Sequence, residues 1–190
     1  MMLVPPRLIG RQRGKMARNN FEHEESGGGE RVAPLSELPD VEVADGKPDI
    51  RGWEVVGHDR RTIGQVHDLI VDIESMKVRY VDVEMRREAI EAERDRHVLV
   101  PIGYARLEED DDRVRVNNIV TLAAGALPAY EHGPLTRAEE MSLHRTYEAA
   151  SPAAGAMPES DSNYYGHERF DDSRFWGRRQ RAAEYLRRLR

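Results

Sequence analysis

The chain contains no cysteine, which excludes disulfides, thiolate zinc sites, iron–sulfur clusters and a cysteine nucleophile, and suits a cytoplasmic protein. Aromatic residues make up only 6% of it and charged residues 34%, so its 190 residues hold material for one modest core plus solvated tails. Long apolar runs are also missing. The longest uncharged stretch, which includes residues 117–130, contains Pro128 and falls short of the ~20 apolar residues that a membrane-spanning helix needs. The N-terminus MMLVPPRLIGRQRGKM is basic, but Pro5 and Pro6 break an apolar run already too short for a signal-peptide core. Met16 is as good an initiator as Met1 or Met2.

Several motifs of chemistry are absent too. No G-x-S-x-G elbow occurs, so a hydrolase triad has no nucleophile on offer. Gly27, Gly28 and Gly29 are followed by Glu30, Arg31 and Val32, without the Lys-Ser/Thr that ends a phosphate-cradling loop, and read as a linker. The histidines at 23, 58, 67, 97, 132, 144 and 167 form no HExxH pair and no tight spacing with a carboxylate on one helix face, so the linear pattern predicts no metal. His67 and His97 fall on stretches that neighbouring strands can bring together, where a strand histidine is ordinary. The acidic run 108–112 lacks the alternating ligands, central glycine and distal glutamate of a calcium loop, and is expected to be a solvated turn. Together these absences predict a non-enzymatic protein without a cofactor.

The formal net charge of −6 conceals an asymmetry. Residues 1–20 carry five basic side chains and no acid, and residues 173–190 carry seven arginines against Glu184 alone; setting aside these tails, +5 and +6, leaves −17 on residues 21–172. A body this acidic repels phosphate, so nucleic acid is a poor partner for it, and only the tails attract a polyanion.

What the chain has in quantity is strand signature. Trp53, Val55 and Val56 lead into a polar turn at 58–61 and a long second strand over 62–73, a β-hairpin pattern, with Gly64 marking a bulge or bend. Alternation puts Leu69, Val71 and Ile73 on one face and Asp68, Ile70 and Asp72 on the other. In the third strand Val81, Val83 and Met85 form a core face, while Tyr80, Asp82, Glu84 and Arg86 form a wet one. Residues 87–95 are expected as a loop or single helical turn. Val98, Val100 and Ile102 start the next strand, and 104–107 pairs with 114–116 around the acidic turn.

Beyond the strands, residues 121–126 suggest a short helical turn. Thr136 followed by Glu139 matches a capping box and predicts a helix over 137–149. The resulting division is a flexible leader over 1–42, a barrel with its following helix over 43–149, a linker over 150–163 rich in Ala, Gly and Pro, and a basic amphipathic tail over 164–190. In the tail Phe175 and Trp176, with Arg178, Arg179, Arg181, Arg187 and Arg188, are candidates for a tether to an anionic surface or partner. The alternative is a helix that docks on the chain's own acidic body.

The ordered pieces VADGKPDIRGWEVVG, IGQVHDLIVD, VRYVDVEM, LVPIGYARL, VRVNNIV, LPAY and LTRAEE resemble the PRC-barrel family, in particular the cytoplasmic barrel of the photosynthetic reaction-centre H subunit. The resemblance spans about residues 43–147 and implies an all-β fold, a small barrel followed by a short α-helix. It implies a non-enzymatic interaction or scaffold module with a protein partner. Photosynthetic H subunits carry an N-terminal membrane helix that this sequence lacks, so the resemblance implies a soluble relative, cytoplasmic or peripheral at the inner face of a membrane. An accessory of a membrane electron-transfer or photosynthetic complex is the alternative implied, with Asp82 and Glu84 at the positions of proton-passing carboxylates. A ribosome-associated factor is the third, since a ribosome maturation factor shares the barrel. A small open barrel also leaves strand edges exposed, which predicts a homodimer.

Overall fold

The computed structural model describes residues 32–44, 47–116, 127–133, 135–150 and 161–175. The strands are β1 (Val32–Pro34), β2 (Glu54–Val56), β3 (Thr62–Asp72), β4 (Lys77–Met85), β5 (Arg96–Pro101), β6 (Ala105–Glu108) and β7 (Arg113–Val116). The helices are α1 (Arg87–Ile90) and α2 (Arg137–Ala150), with short 3₁₀ turns between and after them. Mostly β, the chain forms a half-barrel sheet in the order β5-β4-β3-β2-β7-β6, and β1 pairs with the far end of β3.

Short strands curl around one core only if the ladder is interrupted, and β-bulges supply the twist. Three occur around β3. Ile63 is the extra residue opposite β2, where Val55 pairs with Gly64 but Val56 with Thr62. Along β4, His67 is extra between the pairs Val66–Val83 and Asp68–Asp82, and Arg79 is extra between Ile70–Tyr80 and Val71–Val78. The expected bend at Gly64 is a point of close approach: a Cβ there would lie 2.1 Å from the Glu84 carbonyl oxygen.

The predicted core face of β4 is present, with Val81, Val83 and Met85 fully buried. The opposite face is not wet as alternation suggested, because Tyr80 and Asp82 are fully buried as well. Helix α2 and the segment 161–175 cover that second face. The Tyr80 hydroxyl donates to Glu140 Oε1 (2.8 Å) and meets His144 Nε2 at 2.9 Å, while the Tyr147 hydroxyl donates to the Leu99 carbonyl at 2.6 Å. Helix α2 begins with the expected capping box, in which Thr136 N donates to Glu139 Oε2 (2.8 Å) and Glu139 N to Thr136 Oγ1 (3.4 Å).

Three further expectations are corrected. Val32–Pro34, assigned by composition to the flexible leader, is a strand whose residues pair with Asp72, Val71 and Ile70, because Val32, Ala33 and Leu35 supply apolar surface for the free edge of β3. The second strand ends at Asp72 rather than at Ile73, which lies exposed in the following turn. Residues 161–175, divided between the expected linker and tail, form successive 3₁₀ turns packed on the domain, while the amphipathic spacing beyond Phe175 lies outside the described residues. Tyr164, Arg169, Phe170 and Phe175 are buried. Phe175 therefore packs into its own domain and is no surface tether, and its carbonyl accepts from Leu107 N of edge strand β6 at 3.0 Å. Trp176, Arg178, Arg179, Arg181, Arg187 and Arg188 lie outside the described residues, as do the suggested turn at 121–126, most of the leader and most of the linker.

The expected hairpin around 108–112 joins β6 to β7, and the single helical turn after β4 is α1. No helix among the described residues is long and apolar enough to cross a membrane.

Candidate functional site

Cross-strand pairing sets Asp82 of β4 opposite Asp68 of β3 on one side and Leu99 of β5 on the other. Both aspartates are buried, although like charges facing each other across a ladder oppose folding. Asp68 has its own hydrogen-bond partners: it accepts from Ser36 Oγ (2.6 Å), Ser36 N (3.2 Å) and Leu69 N (2.8 Å). Asp82 instead faces histidines.

The bulge at His67 is what brings the first one in. An extra residue in β3 disrupts strict alternation and re-aims its side chain, so that His67 joins the face carrying Asp82. His97 pairs with Glu84 across the β4–β5 ladder, one step along the same face. His132 arrives from the loop before α2, with a left-handed backbone (φ 67°), and that loop is tied to β5 by a Tyr130 N to His97 carbonyl bond of 2.8 Å. Ring centroids lie 4.2 Å apart for His97 and His132, 4.6 Å for His67 and His97, and 5.2 Å for His67 and His132.

His97 Nδ1 lies 3.0 Å from Asp82 Oδ1, and His132 Nδ1 lies 3.7 Å from Asp82 Oδ2. Burial pushes the Asp82 carboxyl up to about 7, with Asp68 and Glu84 adding to the rise and His67 and His132 opposing it. Burial also holds His97 below the usual imidazole value, against the pull of Glu84. A carboxyl near neutrality among imidazoles is a group that can hold a proton or, once deprotonated, a cation.

Of the two carboxylates carried by resemblance, Asp82 is the centre of this cluster, while half-buried Glu84 lies beside it and accepts from Gln65 Nε2 at 2.8 Å. Next to the cluster a groove of about 280 Å³ runs between the 128–132 loop and α2, lined by Leu99, Tyr130, His132, Leu135, Ser142 and Leu143 among others. Sequence reasoning set His67 and His97 on neighbouring strands, whereas β4 lies between β3 and β5 and carries Asp82 between them; alternation, which placed Asp82 in water, hid that partner. His132 had no periodic signal to find it by.

A second buried polar group lies on the same face of β4, toward its start. Glu140 Oε1 accepts from both Tyr80 and Tyr165, each at 2.8 Å. With the Tyr80 hydroxyl hydrogen spent on Glu140, His144 must donate from Nε2 to the phenol oxygen. Burial, with the positive charge of Arg169, His167 and Arg137, lowers His144 to about 3. This network joins α2 and 161–175 to the sheet.

Residues 43–122 match the family model of the PRC-barrel domain. No curated protein matches the chain.

Proposed function

Since this chain carries a PRC-barrel domain over residues 43–122, we propose that it works as a non-enzymatic interaction module, whose partner is a protein and whose working surface is the face bearing His67, Asp82, Glu84, His97 and His132. The observation that carries this reading is the direction of the ionisable groups. Their polar atoms converge on one another at the sheet surface, beside a shallow groove, rather than on a nucleophile set at the floor of a substrate cavity. Catalysis needs a reacting atom held against an acid, a base and charge-stabilising donors. Recognition needs a shaped, preorganised surface, which a bulged sheet and a tied loop supply.

A second reading is an accessory to a membrane electron-transfer complex. The geometry that favours it is a path of imidazoles: exposed His67 and His132 adjoin half-buried His97, which contacts the buried Asp82 carboxylate. Such an arrangement suits passing protons from solvent to a docked partner.

The test is affinity capture of the tagged protein from cells with membranes retained, comparing wild type with His67→Ala and Ser142→Arg. The module reading expects one partner protein in near-stoichiometric yield, lost in the variants. Co-purification of a membrane complex supports the accessory reading. Recovery of the protein alone, or with the same partner regardless of variant, contradicts the assigned surface.

A further inference from the structure

We propose that His67, Asp82, His97 and His132 form a binding site for one divalent transition-metal ion of the zinc class. Each residue offers one donor atom, and the four atoms lie within 4.8 Å of one another. Zinc takes nitrogen and carboxylate donors at about 2.0–2.1 Å in a tetrahedron, which sets those donors about 3.4 Å apart. Measured from one carboxylate oxygen, Asp82 Oδ2, the separations of 3.3 Å to His97 Nδ1 and 3.7 Å to His132 Nδ1 already bracket that figure. Closing the rest requires side-chain rotation in the two exposed members, His67 and His132, and no movement of the sheet.

The donor set selects the ion. Three imidazoles with one carboxylate suit zinc, nickel, copper or iron, whereas calcium and magnesium seek six or more oxygens. The surroundings favour a cation as well. Asp68 stands directly across the ladder from Asp82 and Glu84 follows on the same strand, so buried negative charge concentrates at a point where no arginine or lysine is paired with Asp82 among its described contacts. A divalent ion would balance that charge.

The backbone holds the donors in place. Asp82 and His97 sit on the paired strands β4 and β5, His67 is aimed by a bulge, and the loop of His132 is pinned through Tyr130 to the His97 carbonyl. Rigid elements and supporting hydrogen bonds of this kind are what a metal site needs beyond its ligands. The site depends on these four side chains alone and not on the identity of any partner.

The experiment is isothermal titration of zinc chloride into chelator-treated, tag-free full chain. One zinc per chain is expected. His67→Ala and His132→Ala remove exposed side chains that carry no core packing, and each should weaken binding about tenfold or more, as should Asp82→Asn. His58→Ala, in the β2–β3 turn away from the cluster, should leave it unchanged, and a large excess of calcium should not displace the zinc. Wild type that takes up no stoichiometric zinc overturns the proposal. So does undiminished, wild-type affinity in His67→Ala and His132→Ala, or calcium competing on equal terms.

Discussion

The Tyr80 hydroxyl, on the interior strand β4, donates to Glu140, sixty residues later on α2, at 2.8 Å. This one bond shows how the domain is finished: β4 buries both faces because a helix and a C-terminal segment, which the strand pattern does not announce, close over the second one. Buried networks of this kind are stabilising only when every member is partnered.

Acidification tests that network. Below about pH 6.5 the unfolded chain protonates its counterpart of His144, whereas the folded chain, facing Arg137, Arg169 and His167 beside Glu140 and Tyr80, refuses the proton until about pH 3. The unfolded state then binds more protons, so this group withdraws stability as pH falls through that window. A tenfold change in proton affinity is worth about 1.4 kcal/mol, which makes the full loss, reached near pH 3, on the order of 5 kcal/mol. Asp82, raised to about 7, acts in the opposite sense, losing stability as pH rises from about 4 to 7. Denaturant melts of wild type and His144→Gln, which keeps a donor and cannot titrate, isolate the first effect. The gap between them should narrow from pH 7 to pH 4, and a constant gap contradicts the assignment.

Phe175 is fully buried, and Gly103 is so close to the segment before it that a Cβ would lie 2.3 Å from the Glu168 carbonyl oxygen. Residues 161–175 are thus part of the domain. Phe175→Ala should cost about 3–5 kcal/mol by opening a cavity, and removal of residues 161–190 should lower the melting temperature sharply. A truncated chain that melts like the full one would return the segment to the role of a tether.

Gly64→Ala should destabilise by about 1–3 kcal/mol, toward the upper end, because its methyl group meets a backbone carbonyl that cannot swing away. The urea midpoint reads this directly. An unchanged midpoint would mean that β3 does not cross β4 this closely.

Alternation made the core face of β4, the β2–β3 hairpin and the β6–β7 turn legible, and Thr136 with Glu139 marked the start of α2. Those features are local. The bulges at His67 and Arg79 are set by how β3 and β4 register with each other, which neither strand encodes alone, and a one-residue shift moves side chains between faces. Asp82 looked solvated because its own strand cannot reveal the covering by His67, His97 and His132. Tyr164, Phe170 and Phe175 reach the sheet through successive 3₁₀ turns, for which neither a helical nor a strand period gives a signal. The site was thus half visible: its residue types could be read, and their convergence from four separate segments could not.

That convergence is tested most directly by X-ray absorption at the zinc edge on the one-to-one zinc complex of the full chain. A site assembled as described surrounds the ion with four donors, three imidazole nitrogens and one carboxylate oxygen, at about 2.0–2.1 Å. A shell of oxygens with one imidazole or none, or a sample that retains no zinc, would show that the three histidines and Asp82 do not act as one site.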